Sequence, residues 1–189
     1  MATNILTPRT YFKPMDYPWA HTFWKQHEAM HWMGYEVPMH EDVRDWSSKL
    51  TEGEKNLLTH LFRFFTQADV DVAAGYTTKF LPYFAHKPEL AMMMSSFAAR
   101  EAVHIDAYAL LLETVGMPET TYQQFADYKE MKEKHDFVGQ FGTDNVEDLL
   151  KSLAVYAGFT EGMQLFASFV VLLNFSRFNK MKAMGNIVA

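Results

Sequence analysis

The chain contains no cysteine among its 189 residues. Disulfides, thiolate metal sites and cysteine nucleophiles are therefore excluded, and any thiol chemistry must come from a partner. Basic residues are also scarce, with 17 Lys and Arg against 23 Asp and Glu and no basic cluster, which argues against sequence-independent binding to nucleic acid. Met1 to Thr10 lacks the apolar core of a signal peptide. Together with the missing cysteines, this predicts a cytoplasmic protein.

The sequence also lacks runs of alternating apolar and polar residues long enough to predict a strand. Gly and Pro fall between long stretches in which apolar residues recur with the period of an α-helix. A composition that is 49% apolar and 15% aromatic is sufficient for one domain with a sizeable core. We therefore predict a single all-α domain over residues 1–189, with an extended N-terminal segment over residues 1–15.

The first helix is predicted to start at an Asp16 cap with Pro18 in its first turn. Its pattern continues through Trp24 and Trp32 to a stop at Gly34, with Trp32 facing inward.

A capping-box pattern at Thr51 and Glu54 predicts the start of a long second helix. Asp69 lies on its apolar stripe, whereas Asp71 points about 200° away and is expected to meet solvent. A carboxylate on an apolar face needs a proton, a cation or a hydrogen-bond donor, so Asp69 is a candidate site residue. The stripe consists of Leu58, Phe62, Phe65, Val72 and Tyr76.

A third helix is predicted from Pro88 to Gly116. Glu101, His104 and Tyr108 share one face of it, because offsets of three and seven residues keep them within about 60° of one another. Glu101 and His104 form a Glu-x-x-His pair, the unit with which dimetal carboxylate bundles bind metal.

The longest apolar helix follows a charged segment, 118–136, which is expected to cover the bundle. Asp144 is expected to open this helix, and Glu161 lies in the middle of its stripe. The stretch from Leu153 to Phe175 is long enough to span a membrane, but a central helix of a soluble bundle also accommodates one inward charge. We therefore expect no membrane span. The predicted stripe consists of Leu150, Ala154, Ala157, Leu165, Ser168 and Leu172.

Buried acidic residues on three successive helices point to metal. An ionised carboxylate in a protein interior costs several kcal/mol unless it is paired. No Lys or Arg shares these faces, since Arg100 points about 100° to the side of Glu101. Divalent cations would balance the charge, and oxygen donors with imidazole suit iron or manganese better than zinc. The alternative for each residue taken singly is a hydrogen bond to a neighbouring helix or to water.

A competing motif, His27-Glu28-x-x-His31, matches the signature of zinc proteases. No third His lies on an obvious ligand element, so the other interpretation places these residues on the outer side of the first helix. Tyr108 also has two interpretations: a packed core tyrosine, or a side chain that a metal site one turn away oxidises.

Five stretches resemble the small (beta), radical-generating subunit of class I ribonucleotide reductase, and the resemblance covers nearly the whole chain. They are Tyr17–Trp19 with Trp32 and Glu36–Val37, Phe64–Asp69, Glu101–Tyr108, Glu161–Phe169 and Asn174–Arg177. The resemblance implies a ferritin-like helical bundle with a dinuclear metal centre, in which iron is the first candidate and manganese or a mixed Mn/Fe pair the alternative.

The resemblance also implies roles for single residues. Tyr108 falls at the position of the radical tyrosine, and Trp32 resembles the tryptophan that relays an electron between this radical and the large (alpha) subunit. Leu165 and Phe169 fall where the family lines the radical pocket. The implied activity is ribonucleoside-diphosphate reductase, in which the radical passes to a cysteine of the large subunit. The residues that correspond to metal ligands are Asp69, Glu101, His104 and Glu161.

The chain departs from the family after the run Met181–Ala189. In the family this run leads into an Arg-Asp-Glu-x-x-His segment with the remaining Glu and His ligands and a relay Asp. We therefore expect an incomplete bundle: part of a split subunit that a second polypeptide completes, the product of an incomplete gene, or a remnant that associates with its own copies. Its exposed apolar surface should produce an oligomer, such as a dimer, or a complex.

Two further functions remain open. Another ferritin-like dimetal oxidase would not need Trp32 or Tyr108 in these roles. A non-catalytic helical module would only store metal or dock to partner subunits.

Overall fold

The computed structural model of the protein describes residues 5 and 7–189. Within this part the chain folds into α-helices joined by short 3-10, π and irregular segments, and it forms no strand. The expected extended segment 1–15 lies partly outside the described residues, and residues 7–15 follow neither helix nor strand. The helices are α1 Pro18–Ala29, α2 His40–Ser48, α3 Glu52–Gly75, α4 Leu81–Phe84, α5 Pro88–Thr114, α6 Thr120–Gln123, α7 Lys129–Gly139, α8 Val146–Leu153, α9 Phe166–Arg177 and α10 Lys182–Val188.

Helix α3 starts with the predicted capping box. Thr51 Oγ1 accepts a hydrogen bond from the Glu54 N–H at 3.2 Å, and the Glu54 carboxylate accepts one from the Thr51 N–H at 2.8 Å. The predicted stripe of α3 packs along α5, and four of its five members are fully buried. These four are Leu58, Phe62, Phe65 and Val72.

Helices α6 and α7 cover the outer side of α3, as predicted for the charged segment 118–136. Asp71 is consequently less open to solvent than predicted. Its side chain is only 21% exposed, and its Oδ2 lies 2.6 Å from His135 Nδ1 on α7.

Helix α1 starts and ends differently from the prediction. It begins at Pro18 without a side-chain cap, because Asp16 binds Lys87 Nζ at 2.5 Å instead. It ends at Ala29, so Trp32 lies beyond the helix rather than on it. The chain must turn here because Gly34 packs directly on α5.

Two apolar clusters form the core. The first apolar cluster, which includes Phe65, Tyr108 and Leu165, lies between α2, α3, α5, α9 and α10. The second apolar cluster, which includes Phe80 and Tyr156, joins α1, α5 and α8. Helix α5, helix α3 with the segment Tyr76–Phe80 that follows it, and the stretch 146–177 each contribute to both clusters, and each carries an acidic residue at the junction. These residues are Asp69, Glu101 and Glu161.

Helices α8 and α9 are joined by a π-helical segment, Ala154–Leu165, into one continuous helix, Val146–Arg177. Its N-cap is Asn145, whose Oδ1 accepts from the Asp148 N–H at 3.0 Å, rather than the predicted Asp144. By length and composition this helix could cross a membrane, a property that core helices of soluble proteins share.

The stripe predicted for this long helix is wrong in its first half. Leu150 is 60% exposed, and Ala154 and Ala157 are exposed as well. The prediction assumed α-helical geometry throughout this helix. A π-helical segment has more residues per turn than an α-helix, so different residues face inward on its N-terminal side. The buried residues are Leu149, Ser152, Val155, Tyr156, Thr160, Leu165, Leu172 and Phe175.

Two buried carboxylates of α2 hold α10 in place. Asp42 accepts hydrogen bonds from the N–H groups of Ala183 and Met184 at 3.1 and 2.8 Å. Asp45 accepts one from the Met181 N–H at 3.0 Å. These bonds satisfy N–H groups at the start of α10 that have no partner within the helix.

We expect Gly34→Ala to destabilise the fold. A Cβ at this position would lie 2.9 Å from Ala107 Cα, which is backbone and cannot rotate away. The cost should be about 1–3 kcal/mol, as for other overpacked contacts, measured by urea unfolding.

Gly53→Ala is the matched control, because the nearest atom to a Cβ there is Thr51 Oγ1 at 4.0 Å. It should leave stability unchanged or raise it by about 0.4–1 kcal/mol. Equal stability of the two variants would show that the contact between the Gly34 turn and α5 is not tight.

Candidate metal centre

Asp69 enters the centre from α3. Its position on the buried stripe, one residue after Ala68 of the first apolar cluster, leaves its side chain only 3% exposed. Among the residues described by the structure, no Lys or Arg forms an ion pair with it. The carboxyl group is therefore held in an apolar setting without a basic partner.

Glu101 and His104 enter from α5, one helical turn apart. Glu101 is 8% exposed, and its Oε2 lies 3.4 Å from His104 Nδ1. Ligand atoms of Asp69, Glu101 and His104 all lie within 4.8 Å of one another. The predicted Glu-x-x-His pair and the predicted lone aspartate thus come together in space.

Glu161 enters from the π-helical segment. It lines a cavity of about 250 Å³ together with Glu101 and His104, but it lies outside the 4.8 Å group. Its Oε1 is buried and has no hydrogen-bond partner among the described residues. A buried carboxylate oxygen without a donor is costly, so this atom suits a cationic ligand.

Asp69 and Glu161 hold their protons more tightly than usual. Burial, together with the charge of Glu101, raises the pKa of Asp69 to about 8. The same two causes raise the pKa of Glu161 to about 7. Burial opposes the charged form of His104, but the hydrogen bond that its Nδ1 donates to Glu101, together with the negative charge of Glu101, outweighs this and raises the His104 pKa.

These residues fit a metal site. Three carboxylates and one imidazole are the donor set that iron and manganese prefer, and a divalent cation would stabilise the ionised carboxylates that burial now disfavours. The site suits cations of this kind better than zinc, whose structural sites draw mainly on thiolate and imidazole.

Arg100 lies closer to the centre than predicted. It lines the same cavity as Glu101, although its Nη2 donates to the backbone carbonyl of His27 at 3.1 Å. Its Nη1 is buried and has no hydrogen-bond partner in the part of the chain that the structure describes. The helical angle that separates Arg100 from Glu101 does not keep this long side chain away from the cavity.

The zinc-protease motif does not assemble. Helix α1 ends at Ala29, so His31 lies outside the helix that carries His27 and Glu28. Glu28 and His31 are exposed, while His27 is half-buried and lines the cavity beside Glu101. The prediction that all three lie on the outer side is thus wrong for His27, because the α1 face that carries it packs on α5.

Tyr108 lies one turn beyond His104 in the first apolar cluster. It is 3% exposed and stacks on Phe65, with ring centroids 5.1 Å apart. Phe65 in turn stacks on Phe169 at 5.4 Å, and Leu165 belongs to the same cluster. Burial and the charges of Asp69 and Glu101 raise the pKa of the Tyr108 hydroxyl. Its surroundings are therefore dry and aromatic.

Trp32 packs against the first apolar cluster from outside the helices. It is half-buried, and its ring centroid lies 6.2 Å from that of His104. Trp32 therefore contacts the centre, although not from the helical position that its sequence predicted.

Tyr76 and Phe97 also line the cavity, although the sequence assigned Tyr76 only to the apolar stripe of α3. The available signal was the seven-residue offset from Asp69 to Tyr76, which places the two on one face of α3.

A family model for the small chain of ribonucleotide reductase matches residues 9–189. A probable ribonucleoside-diphosphate reductase small subunit of Invertebrate iridescent virus 6 is 48% identical over 98% of this chain and 55% of its own length. The corresponding subunit beta of Chlamydia pneumoniae is 28% identical over 91% of this chain and 54% of its own. The chain thus spans about half the length of the curated relatives that it matches.

Solved structures show the same fold. The ribonucleotide reductase R2 subunit from Clostridium botulinum has a TM-score of 0.79 at 21% identity, covering 90% of this chain and 55% of that one. A mutant R2-like ligand-binding oxidase with a Mn/Fe cofactor has a TM-score of 0.71 at 15% identity, covering 89% and 65%. The predicted all-α, ferritin-like fold is confirmed.

The raised carboxyl pKa values predict that the metal-free protein loses stability as pH rises. Asp69 titrates near 8 and Glu161 near 7 in the folded chain, against values of about 4 when unfolded. These two groups therefore bind more protons in the folded state between about pH 4 and pH 8, and the stability that they contribute falls across this range. The raised pKa of His104 acts in the same direction. Melting temperatures in chelator across this range measure the slope.

Asp69→Asn should flatten this slope, because it removes the group with the largest shift. Asp106→Asn, which changes an exposed carboxyl on α5, should leave it as it is. An unchanged slope in Asp69→Asn would contradict the assignment.

Proposed function

Because the chain belongs to the ribonucleotide reductase small-chain family, a family of oxidoreductase subunits, we propose that it carries the radical-generating site of a ribonucleoside-diphosphate reductase. The observation that supports this most directly is the group of buried Asp69 and Glu101 with half-buried His104, and with Glu161 on the adjoining cavity. The complete enzyme would convert ribonucleotides to deoxyribonucleotides.

Asp69, Glu101, His104 and Glu161 are the proposed metal ligands. They would hold iron, with manganese or a mixed Mn/Fe pair as the alternatives. When bound, such a dinuclear centre supplies the power to reduce oxygen and to remove one electron from a nearby side chain. The two shifted carboxyls, Asp69 and Glu161, release protons as they bind, so metal affinity should rise with pH.

Tyr108 is the proposed radical site. The first apolar cluster excludes water from its ring, and the stack with Phe65 and Phe169 fixes its orientation. Leu165 and Phe169 would line the radical pocket and shield it from reductants. Asp69 and Glu101, whose charges already act on the hydroxyl, are the candidate acceptors for its proton.

Trp32 is the proposed relay for electron transfer between the centre and the protein surface. Its ring contacts His104 on one side, and the side chain is partly exposed to solvent. The partner would be a large (alpha) subunit that supplies the cysteine chemistry, since this chain has no cysteine. A second Glu-x-x-His pair, in addition to Glu101 and His104, would complete the metal ligands. The proposed compartment is the cytoplasm.

Metal binding and radical formation test the proposal together. The protein is loaded anaerobically with Fe(II), exposed to oxygen, and examined by elemental analysis and electron paramagnetic resonance. We expect bound iron, and a tyrosyl radical signal once the second Glu-x-x-His pair is present as well. Glu101→Ala with His104→Ala should lose both, because two of the grouped ligands are gone. Tyr108→Phe should lose the signal and keep the iron.

Tyr122→Phe is the control for Tyr108→Phe, because Tyr122 is a partly buried tyrosine beside the first apolar cluster and outside the cavity. It should keep the signal. Iron without any radical in the protein with its complete ligand set would favour another dimetal oxidase or a metal-storage module. Iron that is lost in Tyr108→Phe would give the tyrosine a structural role instead.

Self-association is a second part of the proposal. The long helix carries a row of large apolar side chains that are 54–68% exposed to solvent. A contiguous exposed apolar patch of this kind commonly marks a protein–protein contact. We propose that a second copy covers this row in a dimer. The row consists of Phe159, Met163, Phe166 and Val170.

Sedimentation velocity at micromolar concentration should therefore show an oligomer. Phe166→Glu should raise the monomer fraction, because it places a charge in the middle of the row. Phe178→Glu is the control, since Phe178 is equally exposed but lies beyond the end of α9. A monomeric unmodified chain would contradict this part of the proposal.

A further inference from the structure

A second tyrosine borders the candidate metal centre. Tyr76 opens the short π-helical segment Tyr76–Phe80 that follows α3. It is half-buried and lines the 250 Å³ cavity together with Glu101, His104 and Glu161. Burial and the charges of Glu161 and Glu101 raise the pKa of its hydroxyl, as expected for a phenol close to those carboxylates.

Tyr76 and Tyr108 flank the centre from opposite ends. The ring of Tyr76 packs on Phe97 of α5 at 5.5 Å, one helical turn before Glu101. Tyr108 lies on the same helix one turn after His104. Along α5, the metal-binding pair is therefore bracketed by one phenol on each side.

The two phenols have different surroundings. Tyr108 is enclosed by the first apolar cluster, with no cavity beside it among those that the Glu-x-x-His pair lines. Tyr76 packs against the second apolar cluster on one side and faces the cavity on the other. A volume of about 250 Å³ has room for several water molecules or for oxygen. An oxidised Tyr76 would thus meet small reactants that cannot reach Tyr108.

We infer that Tyr76 is a modification site, whose ring is hydroxylated to a catechol when ferrous ions in the centre react with oxygen. This inference rests on the proposed function. One oxygen atom of O₂ enters a ring carbon next to the hydroxyl, and the other takes up two protons and leaves as water. The ring supplies two of the four electrons, and two ferrous ions supply the others as they become ferric.

The catechol would present two adjacent oxygens to the cavity in place of one. Catecholates chelate ferric iron and give it a visible charge-transfer band, so the modified protein should be coloured even after any radical has decayed. The same contact that exposes Tyr76 to hydroxylation would thus add an oxygen ligand at the cavity side of the centre.

The chain offers a clean test by mass spectrometry. Trypsin cleavage after Arg63 and Lys79 releases the peptide Phe64–Lys79, in which Tyr76 is the sole tyrosine and neither Met nor Trp occurs. After anaerobic loading with Fe(II) and exposure to oxygen, we expect this peptide to gain the mass of one oxygen atom. Fragmentation should locate that atom on Tyr76 rather than on Phe64 or Phe65.

Three controls separate this reaction from general oxidation. Tyr76→Phe and the double variant Glu101→Ala with His104→Ala should both yield the unmodified peptide. Tyr35, which is 72% exposed and outside the cavity, should stay unmodified in the unaltered protein. Equal oxidation of Tyr35, or modification of Tyr76 in the double variant, would indicate a diffusible oxidant and overturn the inference.

Iron binding and the Tyr108 radical are recorded on the same samples. A protein that binds iron and forms the radical but leaves Tyr76 unmodified would overturn this inference alone. A protein that binds no iron would overturn the proposed function as well.

Discussion

Three carboxylates and an imidazole, buried or half-buried where two apolar clusters meet, impose the central constraint on this structure. Their charge is unfavourable there, and without a cation Asp69 and Glu161 hold protons up to neutral pH. The fold nevertheless brings them together from three helices, because the apolar residues on either side of each acidic residue pack into different clusters. The packing of the two clusters thus offsets the free-energy cost of burying carboxylates whose charge a metal ion would balance.

The same arrangement gives the centre two unlike sides. On the side of Tyr108, stacked aromatic rings and aliphatic side chains leave no room for solvent. On the side of Tyr76, a cavity reaches the acidic residues and is also lined by His27 and Arg100. A reactive centre between these sides can protect an oxidised side chain in one direction and exchange small molecules in the other. The role proposed for each tyrosine follows from the side on which it lies.

Local signals in the sequence predicted much of this fold. The capping box at Thr51 and Pro88 at the start of α5 set the starts of two long helices, and helical period then placed Asp69, Glu101 and His104 on inward faces. The errors occurred where tertiary packing overrides the local pattern. Helical period fails across the π-helical segment Ala154–Leu165, whose turns are wider. The end of α1 is set by the contact of Gly34 with Ala107, which lies far along the chain.

The bonds between α2 and α10 have a consequence for folding during synthesis. Asp42 and its partner Ala183 are 141 residues apart, so the carboxylate leaves the ribosome long before the N–H groups that it caps. The first apolar cluster likewise joins residues that are far apart in the sequence, from Met39 to Ile187. The second cluster draws on an earlier part of the chain, from Ala20 to Tyr156, and can assemble first. Because contacts between distant residues form slowly, the pocket of Tyr108 should be the last part of the protein to close.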